Sequence, residues 1–204
     1  MSEWAPKRFW SSVEIEPEST GYAIRLDSRP VRTPAKAALV VPTEAMAARI
    51  AAEWDAQTDV IDPATMPWTR SANAALDKVA VQREEVKAHL SGYADTDLVL
   101  YRAAGPEALV ARQREQWDPI IDWIATRFGV RLVQTEGVMP VSQSPEALSQ
   151  LSGAMDAMND FQITGFHDLV TLSGSFSLAL AAIEKHRVPD AIWDLSCVDE
   201  GWQI

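Results

Sequence analysis

The sequence predicts an α+β fold, with a small N-terminal antiparallel β domain and one packed helix over residues 1–68 and a larger helical domain over 69–204. Three observations predict it. Val13-Glu14-Ile15-Glu16 and Tyr22-Ala23-Ile24-Arg25-Leu26 alternate apolar and polar residues, the period of half-buried strands. From Thr69 onward the apolar spacing is helical. Between them, Leu39 to Asp77 joins the two kinds of structure: an apolar run ends at Pro42, and Thr43 is placed to cap a helix carrying Met46, Ile50 and Trp54 on one face.

The elements follow in order. Pro17 to Gly21 reads as a turn, making a hairpin of the two alternating runs. Asp27-Ser28 makes a second turn, and Pro30 and Pro34 confine the next piece to an edge. So small a sheet needs a helix against it, and the Trp54 helix is the nearest. Asp62-Pro63 and Met66-Pro67 stiffen a connector. Ala72, Leu76, Val79, Val86 and Leu90 mark one helix, ended by Gly92. Asp95 to Tyr101 is undecided between strand and helix. Pro106-Glu107 opens a helix through Trp117, Ile120, Ile124 and Phe128, with a break or kink expected at Pro119 and an end at Gly129. Val130 to Val133 reads as a short strand, and Ser144-Pro145-Glu146 as a capped helix start leading to Leu148, Leu151, Met155 and Met158. Gly165 to Lys185 reads as a long apolar helix, and Pro189 opens a last one.

Composition narrows the function. Hydrophobic residues make up 47% of the 204, so the chain folds. A net charge of −11 with 18 scattered Lys and Arg argues against nucleic acid and anionic membranes as partners. The single cysteine, Cys197, excludes an internal disulfide and reads as a small buried residue. No clean 18-residue apolar run exists, so membrane insertion is not expected. The start lacks the pattern of a secretory signal or transit peptide.

Sites for chemistry are sparse. His89, His167 and His186 form no close-spaced ligand pair, and the 9 glycines make neither a phosphate loop nor a dinucleotide fingerprint. Asp95 and Asp97 form the one tempting carboxylate pair, able to share a divalent cation or simply to open a helix. With His167 they define an enzyme alternative, a metal-dependent hydrolase. A small-molecule-binding module lined by surface tryptophans is another. Trp54, Trp117, Trp123 and Trp193 sit on apolar faces and read as core, with Trp54 and Trp117 the main structural side chains. Trp10, Trp68 and Trp202 flank turns or ends, as half-buried anchors or as an exposed patch. No catalytic centre, cofactor or resident metal is expected.

A set of motifs runs in order along most of the chain. It includes Lys7-Arg8-Phe9-Trp10, Arg29-Pro30-Val31-Arg32-Thr33-Pro34, Glu53-Trp54-Asp55-Ala56-Gln57 and Met66-Pro67. Asn73, Ala75-Leu76-Asp77, Tyr93 to Arg102, Gln113, Trp117-Asp118-Pro119 and Leu178 to Ala181 follow. Through these the chain resembles the F1 ATP synthase assembly chaperones that act on the alpha subunit, found in mitochondria and alphaproteobacteria. The resemblance implies a non-enzymatic chaperone that binds the free alpha subunit and masks its interface until beta subunits displace it; a holder that masks a partner needs no self-association, so a monomer is expected. It also implies a functional glutamate near the C-terminus, best matched by Glu200 beside Asp199, with a solvated helix-end acid as the alternative. Asp97 and Asp55 join them as expected partner contacts; with Gln57 and Asp77 they lie near predicted helix ends, where local capping explains them equally well. The bacterial cytoplasm is the expected compartment, and the mitochondrial matrix that of eukaryotic relatives.

Overall fold

The computed structural model describes residues 7–202. The chain forms two compact units, one ending at Arg83 and the other starting at Glu84.

In the first unit, β1 (Val13–Glu18) pairs antiparallel with β2 (Gly21–Leu26), in the register Val13 to Leu26 and Ile15 to Ile24. Two short strands, β3 (Arg29–Pro30) and β4 (Val40–Val41), also pair antiparallel with β2. Proline at β3 is tolerated because the strand is only two residues long. The tight turn from β2 to β3 places both Asp27 (φ 46°) and Ser28 (φ 67°) in the left-handed region, which matches the strand twist. Asp27 then accepts hydrogen bonds from the amides of Ser11 and Ser12, and these hold its carboxyl below the usual range.

Helix α1 (Glu44–Asp55) is capped by the Thr43 hydroxyl on the Met46 amide, as its sequence predicts, and packs on β1 and β2. Ala47 and Ile50 are its fully buried residues; Trp54 is half-buried, its ring edge-on to Trp10 at 5.3 Å. Trp10 is therefore core, only 4% exposed, and no part of a surface patch.

The single helix expected from Ala72 to Leu90 is instead two. Helix α2 (Pro67–Ala74) runs into a π turn over Ala75–Val79, closed by the Ala80 amide on the Ala75 carbonyl at 2.9 Å, before α3 (Arg83–Asp95) begins. Gly92 lies inside α3 and does not end it. Helix α2 packs on α1, and Asp77 in the π turn accepts hydrogen bonds from the Thr33 hydroxyl and the Ala35 amide. These contacts keep α2 with the sheet, so the division falls at Arg83, later than the expected 68/69 boundary.

In the second unit, Leu98–Leu100 forms one 3-10 turn and β5 (Tyr101–Arg102) pairs in parallel with β6 (Thr135–Glu136). Residues 130–133 form no strand; the pairing comes slightly later. Helix α4 (Glu107–Phe128) continues unbroken through Pro119 and ends at Gly129. Pro119 is exposed, as is Glu115, whose carbonyl has lost its usual donor, while Trp117, Ile120 and Ile124 hold both halves to the core. Helix α5 (Pro145–Ser152) starts at the Ser144 cap, with Leu151, Met155 and Met158 buried.

The long apolar helix is also two: α6 (Asp160–Ser173) and α7 (Phe176–Ile183). Gly174 turns left-handed at φ 67° and the Ser175 hydroxyl caps the Leu178 amide. Helix α8 (Pro189–Ser196) and a single turn over Glu200–Trp202 complete the described chain.

Candidate functional site

Two adjoining hollows mark the surface of the second unit. The larger, about 680 Å³, is lined by Thr96, Leu98, Tyr101, Leu172, Trp193 and Glu200 among others, with Cys197 half-buried in its wall. The smaller, about 270 Å³, is walled almost entirely by apolar side chains of α6, α7 and α8, including Leu169, Ile183, Pro189 and Ile192. Leu172 and Trp193 line both and form the ridge between them. Leu172 is 75% exposed and Trp193 60%. Trp193 is thus not core, as its apolar helix face suggests. The buried stripe of α8 is Ile192 and Ser196, and Trp193 stands beside it.

The frame under this face is cross-tied by hydrogen bonds. Asp97, fully buried, accepts the Val99 amide at 3.2 Å and the Ser177 amide at 2.7 Å, capping a 3-10 turn and the first turn of α7 together. Burial pushes its carboxyl up, opposed by these amides and the Ser175 hydroxyl. The Leu98 amide reaches the Gly174 carbonyl at 3.2 Å, tying the bend between α6 and α7 to the same turn.

Helix α4 holds the other wall. The Trp117 ring N–H donates to the Leu195 carbonyl at 2.8 Å. Buried Gln113 accepts the Ala103 amide at 2.8 Å and donates to Asp199 at 2.7 Å. Arg112 reaches the Gly201 carbonyl at 3.4 Å, so residues on both sides of Glu200 are anchored to α4. Arg102 pairs with Asp118 at 2.8 Å, donates to the Gln113 carbonyl and lies over the Trp117 ring.

The expected site residues therefore separate. Glu200 is exposed at the rim of the larger hollow. Asp199 is half-buried and engaged with Gln113. Asp97 is wholly internal and offers a partner no surface. Asp55 is exposed in the first unit, 3.5 Å from Arg8. Trp117 is fully buried. Asp95 accepts the Gln143 amide at 2.7 Å while Asp97 faces α7, so the two do not share a site. His167 stacks on His89 with ring centroids 6.1 Å apart. Among the described residues no three His, Cys, Asp or Glu side chains could together hold a metal, and no helix is long and apolar enough to cross a membrane. Leu172 is the residue the sequence reading passed over. The stripe Ile163, Phe166, Val170 and Ser173 is the buried face of α6, and Leu172 lies off it.

Comparison with known proteins gives the class: a chaperone family. The family model described as ATP12 chaperone protein matches residues 7–125. A solved structure of Atp12 from Paracoccus denitrificans is 50% identical with a TM-score of 0.93, covering 97% of this chain and 84% of that one. A mutant of the same P. denitrificans protein matches at 49% identity and TM-score 0.93, with the same coverage. The curated mitochondrial protein atp12 of Schizosaccharomyces pombe is 24% identical over 192 residues, 88% of this chain and 66% of its own length. The chain belongs to the ATP12 chaperone family, the ATP synthase assembly chaperones that its motifs resemble.

Proposed function

We propose that this chain is a non-enzymatic assembly chaperone that binds the free alpha subunit of F1 ATP synthase and masks its interface until beta subunits displace it. The observation that carries the reading is the exposed Leu172–Trp193 ridge, apolar on the outside and held rigid from within by motif residues. A lone subunit of an obligate complex exposes apolar surface that would otherwise self-associate. A holder covers it with a matching apolar face and yields to the proper partner by competing affinity, with no hydrolysis step. One copy suffices for one client. Glu200 is its charged contact, Asp199 positions it, and the bacterial cytoplasm is the compartment.

The test is co-purification of the tagged chain with the alpha and beta subunits of its own F1, each alone and both together. Alpha retained alone, and released when beta is added, is the expected result. Retention of neither by a folded, monodisperse chain overturns the proposal.

A further inference from the structure

We infer that the Leu172–Trp193 face of the second unit takes a short amphipathic helix of the alpha subunit, an apolar side chain filling the smaller hollow and a basic side chain meeting Glu200. The inference rests on the proposed function and adds which surface is used and what it recognises. Three observations carry it.

The first is the shape of the face. It consists of two hollows divided by a ridge, and the smaller, about 270 Å³, has room for a large aliphatic or aromatic side chain. Its walls come from three helices, α6, α7 and α8, with no strand among the described elements there to extend. The smaller hollow offers no strand edge to extend, and a helix laid on a groove is the mode that fits it.

The second is charge. Among the described residues, Glu200 is the one charged side chain lining either hollow, and no Lys, Arg or His lines them. Asp168 on α6 and Asp194 on α8 are exposed on the same helices. The chain as a whole carries −11. The complementary ligand is apolar on one side and basic at the edge that meets Glu200.

The third is rigidity. Leu172 and Trp193 are exposed, but the backbone beneath them is fixed by Gly174 to Leu98, Trp117 to Leu195 and Gln113 to Asp199. A preformed face loses little entropy on docking. Another exposed apolar stretch of this unit, Val138 and Met139, lies in a loop and lines neither hollow.

The experiment measures affinity of the full chain for isolated alpha subunit by titration calorimetry, for the wild type and for Leu172→Asp, Trp193→Asp, Glu200→Lys and Val138→Asp. All four side chains are exposed, and circular dichroism with thermal melting checks that each variant folds. Leu172→Asp and Trp193→Asp are expected to weaken binding by about tenfold or more each, the effect of truncating a central anchor. Glu200→Lys is expected to weaken it by a smaller factor, and Val138→Asp to leave it within about twofold. If the wild type binds and the folded ridge variants bind equally well, the surface assignment falls and the chaperone reading stands. If the wild type does not bind alpha at all, both fall. A dimer in sedimentation that Leu172→Asp dissociates would assign the face to a second copy of this chain and overturn the proposal.

Discussion

Glu53 shows how a motif residue that looks like a surface acid can be structural. It is 9% exposed and accepts three hydrogen bonds, from the amides of Trp68 and Thr69 and from the Thr69 hydroxyl. It thereby caps the start of α2, whose own cap residue, Met66, supplies no side-chain bond. Glu53→Ala would strand buried donors, and we expect it to destabilise the chain by roughly 2–3 kcal/mol in urea unfolding. An unchanged midpoint would remove Glu53 from this role. Gln57 behaves alike: it donates to the Glu53 carbonyl and accepts the Asp62 amide, while Arg8 binds the carbonyls of Asp55 and Gln57. The Asp97 carboxyl gives a pH signature. Its folded value is raised above the ordinary one by burial, so folding favours the protonated form. The stability it contributes is full below the unfolded value and is lost as pH rises through the folded value. Asp97→Asn cannot ionise. The stability of wild type should therefore fall relative to that of Asp97→Asn as pH rises across that window, read from urea midpoints at a series of pH values. A constant gap would contradict the raised value.

At the scale of elements, glycines test the geometry most sharply. Gly21 begins β2 at φ 155°, and a Cβ there would lie 2.3 Å from the Val41 carbonyl oxygen of β4. That neighbour is backbone and cannot turn aside. Gly21→Ala is expected to cost about 3 kcal/mol or more, since the pairing of β2 with β4 must open. At Gly174 a Cβ would meet Leu98 at 3.8 Å, ordinary contact, so Gly174→Ala carries only the left-handed backbone cost of about 1 kcal/mol. Comparable losses at the two positions would refute this account. These elements also show how far the sequence could be read. The hairpin, the Thr43 and Ser144 caps and the start of α4 were legible because each is fixed by local chemistry. The bend at Gly174 was legible in principle, since Ser-Gly-Ser offers both a left-handed residue and a cap, yet apolar continuity across it reads as one helix. The π turn was not legible. Its Asp77 reaches Thr33 and Ala35, far away in sequence, contacts that no local pattern announces. The same holds for the candidate site. Glu200 was offered by the family resemblance alone, but the Leu172–Trp193 ridge appears only when the buried stripes of α6 and α8 are known and the residues beside them are seen to adjoin.

On the scale of the whole molecule, a charge of −11 and an apolar docking face make different predictions about salt. If the overall acidic field drew the client in, affinity would fall steeply as ions screened it, because the Debye length shrinks below about 10 Å above 0.1 M. Among the described residues the face itself has one charged lining residue, Glu200, and it is exposed at the rim. An exposed ion pair contributes about 0.2–1 kcal/mol, so screening it away costs no more than about fivefold in affinity. Burial of Leu172 and Trp193 is insensitive to moderate sodium chloride and is strengthened by excluded salts such as sulfate. We therefore expect the equilibrium affinity for alpha subunit to change by less than about fivefold between about 50 and 300 mM sodium chloride. That change should lie in the association rate, with the dissociation rate nearly constant over the same range, because steering acts on encounter and the apolar anchors act on dissociation. Calorimetry and stopped-flow kinetics at matched salt separate the two. A loss of tenfold or more in affinity would mean that charge, not the ridge, holds the client.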